Sequence, residues 1–399
     1  GRPRVRTTTD LIEAVTGADF IFSAMRVGGT EARALDEEIA LEHGVLGQET
    51  VGVGGMAYAL RTIPEARHLA GVIAEHAPEA WVINFTNPAG VITQAMREQL
   101  GGRVVGICDS PISLVARIED LTGSRATSFD YAGLNHAGWL RGLRGRPEGS
   151  DRVEDLLARV LGDEQLLNQL DEARLLGVDV IRSIGAIPNE YHYYYSHTRE
   201  AHGRIAERVP RGRQLAEQQE TFYSAAAAEP ERALELWLEA LREREETYGA
   251  ETRTDPATRR TAHEIELGGY QKVALQLMRV LSGVDGPTRM ILNVPNSPGT
   301  GRLIRQLSRR AVIEVACDVS IDAIIPAPVG RLHSDLAGLL VQLKGCDELL
   351  LRATERKDPV AALRAFATHP LVDSVETARA LLASYCERIP GVAEAIGAA

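Results

Sequence analysis

Three short apolar runs, ADFIFSAM (Ala18–Met25), AWVINFTN (Ala80–Asn87) and RVVGICD (Arg103–Asp109), constrain the fold more than any other feature of this chain. Each is too continuously apolar for a strand with one wet face, so each reads as a strand buried on both sides. The segments between them read as helices. TTTDLIEAVTG carries Thr or Asp at its start and Gly17 at its end. MAYALRTIPEARHLAGVIAEHAPE is helical in pattern, with an interruption expected near Pro64. PAGVITQAMREQLGG opens on proline and closes on glycine, and SPISLVARIEDLTG follows the third strand. This βαβα order predicts an α/β fold whose parallel sheet is covered on both faces.

In such sheets ligands bind beyond the carboxyl ends of the strands. Those ends carry Arg26-Val27-Gly28-Gly29, then Asn84-Phe85-Thr86-Asn87-Pro88, then Cys108-Asp109-Ser110-Pro111. His136 ends the next apolar run, in YAGLNHAGWL. Polar groups from separate strands are therefore expected to converge on one edge, with Cys108 and His136 at neighbouring strand ends. A buried cysteine is commonly only a small hydrophobe, and a lone histidine only a satisfied core residue. At a shared strand edge the same pair suits a metal ion.

After Gly145 the pattern changes. Residues 151–250 read as largely helical, with EPERALELWLEALREREETYG strongly amphipathic. A loop, GAIPNEYHYYY, interrupts them, and its three consecutive tyrosines suit either a packed surface or the lining of a sugar site. ELGGYQKVALQLM reads as a helix, TRMILNVPN and AVIEVACDVS as strands, and the C-terminus as helical from about Arg331. No internal repeat or low-complexity linker is evident.

Charge and cysteine usage narrow the function classes. The net charge of −11 without a basic stripe argues against nucleic-acid binding. VPRGRQ and RRAVI are short enough to be solvated faces. No apolar run approaches the length of a membrane span, so no membrane partner is expected, and no signal peptide is recognised. The four cysteines, Cys108, Cys317, Cys346 and Cys386, form no CxxC pair. A reducing cytoplasm is the expected setting.

Eight motifs taken together carry a resemblance. MRVGGTEAR, GVLGQETVGVGGMAYALRTIPE, WVINFTNPAGVIT, VVGICDSP, YAGLNHAGWL, IPNEYHYYY, GGYQKVAL and MILNVPN occur in an order and spacing that resemble glycoside hydrolase family 4 across essentially the whole chain. The texture is most similar to the bacterial 6-phospho-β-glucosidases. The resemblance implies that NAD⁺ oxidises the sugar at C3, a base removes the C2 proton, the aglycone leaves by elimination, water adds and the ketone is reduced; the family is a recognised exception to two-carboxylate glycosidases. It implies Cys108 and His136 as ligands of Mn²⁺, although thiolate and imidazole also suit other divalent metals. It implies Tyr270 as the base, although a tyrosine on an amphipathic helix is by itself unremarkable as a structural residue. Asp109 would assist leaving-group departure as an acid. Aspartate there is more similar to the 6-phospho-α-glucosidases, asparagine being commoner in β-type members. Asp109 also suits a helix N-cap. Arg33 and Asn87 resemble substrate-binding positions, although Arg33 could pair with nearby carboxylates and Asn87 could shape a turn. Arg289 is a further candidate for the sugar phosphate, and Asn189 for the site. The implied partner is a phosphorylated disaccharide or glucoside, and the implied assembly a homodimer or homotetramer.

The family begins with a strand and a glycine-rich phosphate loop, and GRPRVRTTTDLIEAV contains no such element. The expected fold is therefore a Rossmann-like parallel sheet lacking its first βαβ unit (residues 1–145), followed by a mostly helical α+β catalytic and oligomerisation domain (residues 146–399). GTGR at Gly299–Arg302 lacks the strand–loop–helix context to replace the loop. A strand near Ala18–Met25 would be left as an open edge, and the 399-residue chain is expected to hold NAD⁺ poorly. Other readings of the residues are a 6-phospho-α-glucosidase, a hydroxy-acid dehydrogenase, and a non-catalytic sugar-phosphate binder.

Overall fold

The computed structural model describes residues 4–250, 259–266, 269–297, 299, 301–321 and 323–398. Thr300 of the GTGR stretch, and Leu267 and Gly268 of the helix expected at ELGGYQKVALQLM, lie outside the described residues.

The first half follows the expected alternation. It runs α1 (Leu11–Val15), β1 (Phe20–Ser23), α2 (Gly29–Glu42), α3 (Val53–His76), β2 (Trp81–Asn84), α4 (Ala89–Leu100), β3 (Val104–Gly106) and α5 (Ser110–Thr122). Asp10 caps α1 by accepting from the Glu13 N–H, and Gly17 beyond its end takes a left-handed φ of 73°. β1, β2 and β3 are parallel neighbours, and β1 forms the edge of the sheet among the described residues.

Pro64 does not interrupt α3, which runs unbroken for 24 residues. A mid-helix proline costs about 3 kcal/mol. Against that, Leu60, Ile63, Leu69 and Ile73 are all buried. At roughly 1.5–3 kcal/mol for each such side chain, packing outweighs the local penalty. The helix packs against α4 and the C-terminal helix α16, defined below.

The chain continues with β4 (Ser124–Leu134), β5 (Ala137–Pro147) and β6 (Glu154–Asp155). The helices that follow are α6 (Leu156–Gly162), α7 (Glu164–Leu167), α8 (Asp171–Leu176) and α9 (Val178–Ile184). A short strand β7 (Ile187–Pro188) and helices α10 (His192–Ser196) and α11 (Thr198–Ala206) come next. A long hairpin, α12 (Arg211–Ala228) and α13 (Ala233–Glu246), leads to α14 (Ala262–Glu266) and α15 (Tyr270–Leu281). Strands β8 (Thr288–Pro295), β9 (Val312–Val319) and β10 (Ile324–Pro326) precede α16 (Ser334–Arg356), α17 (Pro359–Thr368), α18 (Val375–Arg388) and α19 (Val392–Ile396). Among the described residues, no helix is long and apolar enough to cross a membrane.

Among the described residues, ten strands join one sheet with the path β1-β2-β3-β8-β9-β4-β5-β6; β10 adds to β9 and β7 to β5. The antiparallel pair β8–β9 thus separates β3 from β4. Cys108 and His136 are therefore not at the ends of adjacent strands. β4 is not the next parallel strand: it runs antiparallel to β9, which lies beyond β8 from β3, although the single residue Gly123 joins it to α5. Its other neighbour is β5, and His136 lies in the turn between them. The expected GAIPNEYHYYY loop is likewise more ordered than its composition suggests. It contributes β7 and α10, and Tyr193 and Tyr194 are buried in the core beneath β5.

Candidate active site

Cys108 lies two residues past the end of β3 and is 2% exposed. Burial, then the nearby Glu314 and Asp109, push its thiol well above its usual range. Asp109 occupies the N-cap position of α5, but its side chain makes no capping bond. The carboxyl is therefore left to the site. Burial and the neighbouring Glu190 raise it to about 6. One Glu190 oxygen accepts from Ser110 Oγ at 3.2 Å and from the Tyr248 phenol at 3.3 Å.

Tyr191 joins this cluster to His136. Its phenol is 2.8 Å from that of Tyr248, and its ring stacks on the imidazole with centroids 3.8 Å apart and planes 4° from parallel. Cys108 is among the groups that act electrostatically on Tyr191. Tyr270, the first residue of α15, closes the group. Its ring meets Phe85 edge-on at 6.0 Å, and the Asn87 side chain acts on its phenol, favouring ionisation. Burial, then Cys108, Asp109 and Tyr191, push that phenol well above its usual range.

The hairpin that presents His136 closes tightly because of two glycines. A Cβ on Gly133 would lie 2.2 Å from the Gly138 Cα, and one on Gly138 would lie 2.7 Å from the Tyr131 ring. His136 itself takes a φ of 63°, unusual for a side chain of this size. Asn135 beside it is anchored: its amide donates to Glu314 at 3.2 Å, and Asn293 donates to the same oxygen at 2.9 Å.

The hydrogen bonds of Thr50 couple the tautomer of His136 to Gln48. Gln48 Oε1 accepts from the backbone N–H groups of Thr50 and Val51, each at 2.7 Å, and from the Thr50 hydroxyl at 3.2 Å. When the hydroxyl gives its proton to Gln48, Thr50 Oγ1, 3.0 Å from His136 Nδ1, accepts from that nitrogen, and Nδ1 carries the ring proton. Burial lowers the imidazole to about 4, which keeps the ring neutral. Nε2 is left with its lone pair, the form a metal ligand requires.

The remaining sequence candidates fare differently. Asn87 is in the cluster through Tyr270, while its Oδ1 also accepts from the Ala89 N–H at 3.3 Å. Arg33 is buried and pairs with Glu37 at 3.4 Å and Glu49 at 2.9 Å, while lining a cavity with Gln48, Arg208, Arg211 and Gln214. Glu49 is opposed by burial, but Arg33 and Arg26 overcome that and hold it at about 2. Asn189 shapes the backbone: its Oδ1 accepts from the Tyr191 N–H at 3.0 Å, and its own N–H bonds Gly138 O at 2.8 Å. Arg289 stands apart. It grips Asp318 with bonds of 2.8 and 2.9 Å across β8 and β9, because the two face each other in register. Thr50, Gln48, Glu190, Tyr248 and Glu314 were not singled out from sequence. Thr50 lies in a quoted motif, but nothing local shows that it reaches a histidine 86 residues away.

Among the described residues, no group of three or more His, Cys, Asp and Glu side chains has metal-binding geometry. Cys108 and His136 offer two donors, one sulfur and one neutral nitrogen. The groups around them, Asp109, Glu190, Tyr191 and Tyr270, are all anionic when ionised. That donor set fits a divalent cation completed by oxygens from a bound substrate.

The family model described as "Family 4 glycosyl hydrolase" matches residues 1–124, and that of the "Family 4 glycosyl hydrolase C-terminal domain" matches residues 131–372. A "Probable 6-phospho-beta-glucosidase" of Bacillus subtilis (strain 168) is 31% identical over 386 residues, covering 95% of this chain and 80% of its own. A 6-phospho-alpha-glucosidase from gut microorganisms, solved with NAD and Mn²⁺, is 26% identical, with TM-score 0.75 over 96% of this chain and 84% of its own. A 6-phospho-beta glucosidase from Thermotoga maritima, solved with NAD and glucose-6-phosphate, is 25% identical, with TM-score 0.76 over 95% of this chain and 83% of its own.

Proposed function

The chain belongs to family 4 of the glycosyl hydrolases, and from that footing we propose that it hydrolyses 6-phosphoglucosides with NAD⁺ and a divalent cation, Mn²⁺ first among them. The observation that carries this reading is the convergence of Cys108, Asp109, Tyr270 and His136 around Tyr191. The names of the relatives, and the NAD, Mn²⁺ and glucose-6-phosphate held by the solved neighbours, support the substrate class and the cofactors.

Cys108 and His136 would hold the ion. When bound, it supplies a Lewis acid that stabilises negative charge on substrate oxygens and draws the Cys108 thiol toward thiolate. NAD⁺, when bound, supplies a hydride acceptor for the sugar's C3 carbon.

Tyr270 would take the C2 proton. Burial, Cys108, Asp109 and Tyr191 outweigh Asn87 in opposing its ionisation, so a phenol with this surrounding acts as a base only when positive charge enters the cluster. Asp109, raised by burial and Glu190, retains a proton to higher pH than an exposed aspartate and can deliver it to the departing oxygen. Tyr248 and Ser110 hold Glu190 against it.

Within the class we infer a preference for β-linked substrates. The name of the Bacillus relative supports it, and Asp109 weighs toward α-linked ones. Rates on 4-nitrophenyl β- and α-glucoside 6-phosphates, with NAD⁺ and Mn²⁺ added, test both levels. Faster β-cleavage is expected. A strong α preference would overturn the anomeric inference alone. Net accumulation of NADH without aglycone release would overturn the glycosidase reading in favour of a dehydrogenase. The cysteines are free thiols, and a phosphorylated substrate is an intracellular metabolite class; both support a cytoplasmic setting.

A further inference from the structure

Two helices begin at the same buried place. A cavity of about 70 Å³ lies at the first turns of α3 and α4, with Gly52 and Gly55 on one side and Gly90 and Val91 on the other. Gly52 and Pro88 stand at the N-cap positions, and neither supplies a capping side chain. The N–H groups of Gly55, Gly90 and Val91 meet no acceptor among the described residues. First-turn N–H groups have no acceptor within their own helix, and buried donors are rarely left alone.

The facing wall adds two more donors. The Lys344 ammonium on α16 is 2% exposed. Asp347 accepts from it at 2.7 Å and Gln94 only at 3.5 Å, so at least one of its three protons is uncommitted. His369, which follows α17, is buried, and its Nδ1 accepts from the Leu371 N–H at 3.2 Å. Burial lowers the ring to about 3, so it is neutral and carries its proton on Nε2, which has no partner among the described residues. Among the described residues, Asp347 is the only carboxylate on the cavity wall, and Lys344 balances it. Two helix N-termini and an imidazole N–H then leave the space rich in donors and positive in potential. A water needs about 10–15 Å³ of such a volume, so the cavity admits about five waters or one tetrahedral oxyanion.

We propose that this cavity binds a free inorganic oxyanion of phosphate size, held by Lys344, His369 and the first turns of α3 and α4. It is separate from the catalytic cluster: Thr50 and His136 line it, and Cys108, Asp109, Tyr191 and Tyr270 do not. Thr50 meets His136 at Nδ1, which sets the cavity on that side of the imidazole, away from the Nε2 lone pair. The inference does not depend on the glycosidase reading.

Calorimetric titration of inorganic phosphate into the metal-free protein tests it. One phosphate should bind per chain. Lys344→Met should weaken it by about tenfold or more. A Cβ on Gly90 would stand 3.8–4.0 Å from Asn135, Asn293 and Lys344, which is ordinary contact. Gly90→Ala should therefore keep the wild-type circular dichroism spectrum while narrowing the cavity and weakening phosphate in the same sense. With micromolar Mn²⁺ present, glucose 6-phosphate should leave the phosphate affinity unchanged. Displacement one for one would show that the sugar carries the group, and would overturn a separate site. No saturable phosphate binding, or equal affinity in the wild type and both variants, would overturn the oxyanion and leave the cavity to water.

Discussion

Replacing Thr50 by valine keeps the shape of the side chain and removes one hydroxyl. In the structure that hydroxyl is the sole acceptor for His136 Nδ1–H among the described residues, and it passes its own proton to Gln48. Two effects follow. The buried Nδ1–H loses its partner, which costs about 1–3 kcal/mol. The ring is also no longer tied to one tautomer, so Nε2 carries the proton part of the time and cannot bind a metal. Second-shell partners of this kind typically change metal affinity by about 10–100-fold, or roughly 1.4–2.7 kcal/mol. Thr50→Val should therefore weaken Mn²⁺ binding by that factor, read by calorimetric titration or by the electron paramagnetic resonance signal of free Mn²⁺. Imidazole nitrogen shifts of the metal-free protein provide a second reading. The wild type should show His136 protonated at Nδ1, and the variant a mixture. Unchanged Mn²⁺ affinity, or a wild-type ring protonated at Nε2, would refute the reasoning from hydrogen-bond direction.

Three further outcomes are expected. Tyr270→Phe should lower kcat by about 10²–10⁴-fold, the usual range for a lost acid–base group, while Mn²⁺ affinity stays near wild type; normal turnover would remove Tyr270 from its role. Glu314 is raised to about 7 by burial, against about 4.3 in an unfolded chain, so between those values the folded protein binds more protons than the unfolded. Its contribution is then most favourable below about pH 4 and is lost as pH rises toward 7, by up to about 4 kcal/mol. Thermal melts of the metal-free protein at pH 5 and 8 should show that Glu314→Gln flattens this decline, and an identical pH slope in both proteins would contradict it. Asp36 and Arg61 face each other with two 2.7 Å bonds and no exposed side-chain surface, joining α2 to α3. Asp36→Ala leaves a buried guanidinium unpaired and should cost about 3–5 kcal/mol in urea unfolding; a loss below about 1 kcal/mol would show that water reaches Arg61.

Local sequence determined the elements and their chemistry. The runs at Ala80–Asn87 and Arg103–Asp109 hold the buried strands β2 and β3, whereas the run at Ala18–Met25 holds β1, an edge strand in which Ser23 is buried and Phe22 exposed. Residue types at the strand ends, with the eight ordered motifs, also named the cysteine, histidine and tyrosine that the fold assembles. Three matters needed the tertiary structure. Pro64 reads as a break because propensity is local, whereas the buried face that overrides it is supplied by distant α4 and α16. Strand order was not legible, since β8 and β9 enter between β3 and β4 from more than 150 residues downstream. The fates of Arg33 and Arg289 were not legible either, because each is set by carboxylates brought by folding: Glu49 for one, and Asp318 on the facing strand for the other. The tautomer of His136 belongs with these. A sequence supplies donors and acceptors, but which of them gives its proton is decided only when Gln48, Thr50 and the imidazole stand in line.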